Sequence, residues 1–103
     1  MDALERILKA AGQHPVPVRF QDGSGLLVLP FGGRVLGLFA PASPANFLWT
    51  NPALATPASA RAYFGRDAWP NCGGDRTWLA PEIELFIGDL ARPEQTYRVP
   101  PQL

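Results

Sequence analysis

The stretch Trp69-Pro70-Asn71-Cys72-Gly73-Gly74-Asp75-Arg76-Thr77-Trp78 carries the side chains best suited to chemistry. Its glycines let a ligand approach the backbone closely. Arg76 offers a planar fork of donors that suits vicinal hydroxyls or a carboxylate. An indole face stacks on the apolar face of a sugar ring or another flat ligand. Trp69 and Trp78 therefore frame a candidate site, and Asn71 and Asp75 complete a polar set. The same residues also fit a purely structural loop, in which both indoles plug the core and Arg76 pairs with Asp75 or Glu82. The stretch is not a phosphate loop, because it lacks the Gly-Lys-Ser/Thr ending.

Glu82 and Glu84 alternate onto one side of an expected strand, with roughly 7 Å between their side chains. Carboxylates at such separations can act on glycosides, but acids two apart on a strand are ordinarily its solvated face. Cys72 and His14 are the only thiol and imidazole of the chain, too few to build a zinc site. His14 reads as an exposed linker residue. Cys72 has no neighbouring His or Lys to stabilise a thiolate and reads as a buried structural thiol. With a single unpartnered histidine, no Ser/His/Asp set can be assembled. The residues thus propose a binding set of Trp69, Asn71, Asp75, Arg76, Trp78 and Glu82, with no catalytic residue, metal or cofactor assigned.

The elements that must position this set follow from periodicity. Leu4, Ile7, Leu8 and Ala11 lie on one face of a helix spanning 2–12, with Asp2 as N-cap, Glu5 completing a capping box and Gly12 beyond its end. From Pro15 the period becomes two: Val16, Val18 and Phe20 alternate with Pro17, Arg19 and Gln21. Asp22-Gly23-Ser24-Gly25 is a turn. Leu26 to Phe31 is an apolar strand, Gly32-Gly33 a two-residue hairpin loop, and Arg34 to Phe39 the return strand. Residues 41–60 are rich in Pro, Ala, Ser and Asn, with a short strand over 46–50. A helix over 57–64 has Thr56 as cap and Pro57 in its first turn. Further strands are expected over 83–87 and near 96–99.

These elements predict a mainly β chain, α+β by content: an antiparallel meander with an N-terminal helix. The 103 residues suffice for one domain, with 1–14 as helix and linker. Nine Lys and Arg balance nine Asp and Glu, and eight of the nine bases are dispersed arginines. That argues against non-specific nucleic-acid binding. No polybasic anchor, signal sequence or membrane-length apolar run is visible, so no membrane partner is expected and a cytoplasmic location is the default. One cysteine excludes an intrachain disulfide. A few short strands with one small helix would leave edges and one apolar face uncovered, which predicts self-association or a covering segment.

Three phrases carry a resemblance: Gly32-Gly33-Arg34-Val35-Leu36-Gly37-Leu38, Asn46-Phe47-Leu48-Trp49-Thr50-Asn51-Pro52, and Gly73-Gly74-Asp75-Arg76-Thr77-Trp78-Leu79-Ala80-Pro81-Glu82. In this order and spacing, over residues 15–90, the chain resembles the N-terminal part of galactose-mutarotase-like proteins, an uncharacterised bacterial branch of the aldose 1-epimerase superfamily. The resemblance implies part of a large antiparallel β-sandwich that binds a hexose on a concave sheet. Arg76 occupies the position of a sugar-contacting arginine, although Asp75 stands where the epimerases usually have Asn. The acid histidine and basic glutamate of those isomerases lie downstream of the matched part. The expected role is therefore carbohydrate-related, as an N-terminal portion without activity alone. The competing expectation is a non-catalytic interaction module.

Overall fold

The computed structural model describes residues 1–76 and 86–98. In chain order its elements are α1 (Asp2–Ala10), β1 (Val16–Arg19), β2 (Gly25–Leu29), β3 (Arg34–Phe39), a 3-10 turn (Pro52–Leu54), α2 (Pro57–Phe64), β4 (Asp75–Arg76) and a single-turn helix α3 (Pro93–Thr96). The strands form one antiparallel sheet in the order β1-β2-β3-β4, so the meander stands. The balance of helix and strand makes the chain α+β rather than mainly β. Much of 41–60 contributes only isolated bridges, Phe39 with Asn46 and Thr50 with Gly73, in place of the short strand expected there.

One side of the sheet faces the helices. Leu27, Leu29 and Leu36 are fully buried there with Leu8, Leu54 and Cys72, and Ala60 of α2 closes over them. The helical stripe Leu4, Ile7, Leu8 and Ala11 is the face α1 turns inward, with Leu4 and Ile7 partly buried. The expected cap is corrected: Met1 is the N-cap, without a side-chain bond, and Asp2 lies inside the helix. The Asp2 carboxylate accepts instead from Arg19 Nη2 at 2.9 Å, and Glu5 pairs with Lys9. Gly12 has φ 82°, as a residue just past a helix end requires. The cap of α2 is as expected. Thr56 Oγ1 accepts from Ser59 N at 3.1 Å, and Ser59 Oγ accepts from Thr56 N at 3.3 Å.

The loop between β2 and β3 has four residues, Pro30 to Gly33, not two. Gly33 N donates to Pro30 O, and φ of 80° and 56° at Gly32 and Gly33 uses both glycines as anticipated. A register shift between Leu27 and Val28 marks a bulge in the β2–β3 pairing, so Leu36 is accommodated as an extra residue.

β1 turns its valines the other way. Val16 and Val18 pair with Val28 and Leu26, and Leu38 and Val35 continue the same face. Val16, Val18 and Leu38 are 49%, 36% and 41% exposed. The helices lie over the Leu27/Leu29 face, and among the described residues no element packs over this second apolar face. Tyr97 bridges Ile87; most of the strand expected over 83–87, and residue 99 of the one expected near 96–99, lie outside the described residues.

Candidate functional site

The 69–76 loop is held by the 46–51 segment, which Asn46 fastens to β3 and Asn51 ties to the loop itself. Asn46 Oδ1 accepts from Leu38 N and Leu48 N, and its Nδ2 donates to Leu36 O and Thr50 Oγ1. This amide thereby fastens the 46–50 segment along β3. Asn51 Nδ2 donates to Asn71 O at 2.9 Å and to Tyr63 Oη at 3.1 Å, while its Oδ1 accepts from Ala53 N. Asn51 N donates to Cys72 O and Gly74 N to Trp49 O. The loop is thus strapped to 49–51 on one side and to β3 on the other.

Gly73 and Gly74 make this close approach possible. Their φ values are 90° and 72°, in the region that disfavours any side chain with a Cβ. A Cβ on Gly73 would run into Trp49 O, and one on Gly74 into Val35 O and, at 2.7 Å, Leu36 Cα. The two glycines deliver Asp75 and Arg76 onto the edge of β3 as β4, with Arg76 paired to Arg34 and Asp75 to Val35. Strand alternation then sets Arg76 and Arg34 on one face and Asp75 on the other.

Two arginines therefore stand directly opposite each other across neighbouring strands. Such pairs have Cβ atoms about 4.5–5.5 Å apart, and like charges there repel. Trp69 answers part of that repulsion: the Arg76 guanidinium carbon lies 4.7 Å from its ring centroid and that of Arg34 lies 5.2 Å from it, within cation–π range. Arg34 is only 4% exposed. It donates through Nη1 to Gly73 O at 2.9 Å and through Nη2 to Pro70 O at 3.4 Å.

A recess of about 370 Å³ opens beside these groups, lined by Arg34, Trp69, Asn71, Gly74, Asp75 and Arg76. It sits at the lower end of the size range of small-ligand pockets, about 300–1,000 Å³, which suits a monosaccharide better than an extended chain. A larger hollow of about 430 Å³ beside Met1, Ala40 and Pro44 has Asp2 and Arg19 as its charged groups, and these bind each other. The Trp69 recess is therefore the better-equipped site.

Of the anticipated set, Trp69, Asn71, Asp75 and Arg76 come together. Trp78 and Glu82 lie outside the described residues, as does Glu84. Trp69 supports the two guanidiniums, and the ring surface they occupy is not open to a stacked sugar. Asn71 Oδ1 accepts from Gly73 N at 3.3 Å, so it shapes the loop. Cys72 is buried, with burial pushing its thiol pKa up against the opposing pull of Arg34. Its Sγ faces Pro70 O at 3.6 Å, in keeping with a structural thiol. His14 is exposed. Among the described residues no group of three His, Cys, Asp or Glu side chains could hold a metal ion, and no helix is long and apolar enough to cross a membrane.

Arg34 is the site residue that the sequence does not mark as one. It reads there as the first residue of an apolar strand. Its only local signal is that a charge occupies an inward position of an otherwise apolar run. Chemically, guanidiniums remain protonated, so the pair can bind and orient anionic or hydroxyl oxygens without exchanging protons with them. Comparison with models of known protein families, with curated proteins and with solved structures finds no match.

Proposed function

We propose that the chain binds a hexose or related sugar in the recess beside Arg34, Trp69 and Arg76, as a non-catalytic portion similar to the N-terminal part of a mutarotase-like domain. The observation that carries this reading is the convergence of two arginine forks on a monosaccharide-sized recess, at the position where the resemblance expects a sugar-contacting arginine. Guanidinium donors bridge vicinal hydroxyls, and the Asn71 side chain adds a neighbouring polar group. Calorimetric titration of protein shown to be folded, with a panel of neutral hexoses and their acids, tests it. Saturable binding of any member supports the reading, and silence across the whole panel overturns it.

A second reading has its own observation, the face of Val16, Val18, Leu26, Val28, Val35 and Leu38, which no other element among the described residues covers and where Val16, Val18 and Leu38 are exposed. We propose a second copy of this chain as its occupant, joined face to face. Edge-to-edge pairing through β1 is blocked by Pro17, which has no N–H to donate. With strands about 4.8 Å apart and about 3.3 Å per residue, the patch spans roughly 200 Å². That is well short of the ~800 Å² per partner of a stable interface, so the association is weak. Sedimentation from micromolar to millimolar concentration should show a rising dimer fraction that Val18→Lys abolishes. A monomer throughout removes this reading.

A further inference from the structure

We propose that two copies of this chain meet face to face about a twofold axis running along the strands, so that Phe47 and Trp49 of one copy pack over β1 of the other. This rests on the self-association reading and gives that contact its orientation and its anchors.

The anchors come from register. Asn46 bridges Phe39, and Phe47 N donates to Leu38 O, so Phe47 stands beside Leu38. Leu38 pairs with Leu26, and Leu26 with Val18. One apolar row thus crosses the sheet from Val18 through Leu26 and Leu38 to Phe47. Asn46 and Thr50 line a hollow beside α1 with Leu4, Ile7 and Leu54, so alternation turns Phe47 and Trp49 to the opposite face. In β1, Phe20 follows Val16 and Val18 on that face, its N–H donating to Ser24 O in continued register. Among the described residues, six of the eight exposed large apolar side chains therefore belong to this one face: Val16, Val18, Phe20, Leu38, Phe47 and Trp49.

Phe20, Phe47 and Trp49 are 47%, 72% and 59% exposed, and the amides of Asn46 and Asn51 fix the backbone that presents the last two. Large aromatics held in place are the side chains that anchor interfaces. A fully buried aromatic removes about 150–250 Å² from water, so at these exposures the three offer roughly 350 Å². With the roughly 200 Å² spanned by the strand rows, each copy presents roughly 550 Å². That approaches the ~800 Å² per partner of a standard interface without reaching it, as suits a reversible pair.

The two edges of the face differ in height. Val16 and Val18 are short, whereas large rings stand at the 46–50 edge. An axis along the strands exchanges the edges, which places Phe47 over the partner's Val18 and Leu38 over the partner's Leu26. An axis across the strands would set Phe47 against Phe47 and Val18 against Val18, a collision at one edge and a gap at the other. A twofold contact presents the same patch from both copies, so charges near the axis would meet their own images. The apolar row carries none. Asp75, paired with Val35, lies at the outer edge of β3, and the axis along the strands sends the two copies' Asp75 to opposite edges.

Sedimentation equilibrium of the full chain from micromolar to millimolar concentration, with variants shown to be folded by circular dichroism, is the test. Val18→Lys and Phe47→Asp should each weaken association at least tenfold. An equimolar mixture of the two should recover to within threefold of wild type, because only the crossed arrangement sets the new cation over the new anion. A mixture as weak as its components overturns the crossed arrangement and leaves self-association standing. Phe47→Asp associating as strongly as wild type overturns the aromatic anchor and likewise leaves self-association standing. If either charged variant unfolds, Phe47→Ala decides: association at least threefold weaker is expected, and unchanged association overturns the proposal. Wild type that stays monomeric throughout overturns both this proposal and the reading beneath it.

Discussion

Replacing Gly74 with alanine tests whether the loop is pressed against the sheet as tightly as its geometry states. Gly74 has φ 72°, and placing an L-residue in this region costs about 1–2 kcal/mol. The added Cβ would also collide with Val35 O and approach Leu36 Cα to 2.7 Å and Val35 C to 3.1 Å. Those are main-chain atoms of β3, which β2 and the core beneath hold in place, so relief requires β4 to move off the edge. Forcing atoms into a packed site adds about 1–3 kcal/mol. The expected loss is therefore about 2–5 kcal/mol, a large share of the ~5–15 kcal/mol of a typical domain. At ~4–8 °C per kcal/mol for a domain of this size, the melting temperature should fall by roughly 10 °C or more. Gly33→Ala is the matched control. It also has positive φ, at 56°, but nothing lies within 4 Å of its Cβ position, so only the backbone penalty of about 1 kcal/mol applies. Urea unfolding of both variants, followed by circular dichroism, reads the difference. If Gly74→Ala costs no more than Gly33→Ala, the close approach of the loop to β3 is wrong, and the recess built on it goes too.

Three further outcomes follow from the same geometry. Asn46→Ala deletes an amide making four hydrogen bonds; at about 0.5–1.5 kcal/mol each, with water replacing part, it should cost about 2–3 kcal/mol by urea unfolding, and a loss below 0.5 would mean these bonds are not formed. The Cys72 thiol, buried and with its pKa raised, should resist a disulfide reagent in the native state and react only as fast as the chain opens; immediate stoichiometric labelling of native protein contradicts its placement. Asp2 and Asp22 are held below the ordinary carboxylate value of 3.8, chiefly by the side-chain bonds from Arg19 and Ser24. Groups lowered in the folded state contribute stability above the ordinary value and lose it as pH falls through the folded one. The urea midpoint should therefore drop from pH 5 toward pH 2, with a shallower slope in Asp2→Asn and a smaller effect at high salt. An identical slope in that variant would show that the Arg19 bond does not persist in solution.

What the amino-acid order determines by itself is local. The apolar stripe of α1, the Thr56-Pro57 start of α2, the β2–β3 hairpin and the positive φ of Gly32 and Gly33 each depend on neighbours a few residues away, where periodicity and turn chemistry speak directly. Even so, Asp2 left its expected cap because Arg19, seventeen positions on, offered a charge-assisted bond instead. The side of the sheet that the helices cover was not readable. β2 is apolar at Leu26, Leu27, Val28 and Leu29 alike, so alternation in β1 marks two faces without ranking them. Only packing of α1 and α2 over Leu27 and Leu29 decided that Val16 and Val18 look outward.

The candidate site divides in the same way. Gly73-Gly74-Asp75-Arg76 announces a tight turn leading into polar groups, and Trp69 stands close by in the chain. The partner that changes the site's character, Arg34, lies 39 residues before Gly73, to whose carbonyl it donates, and its own strand marks it only as a charge at an inward position. Antiparallel pairing of β3 with β4 set two guanidiniums side by side over one indole. Charge density of that kind arises from register, a tertiary property, because pairing energies depend on which residues a fold brings opposite one another and not on how far apart they stand in the chain.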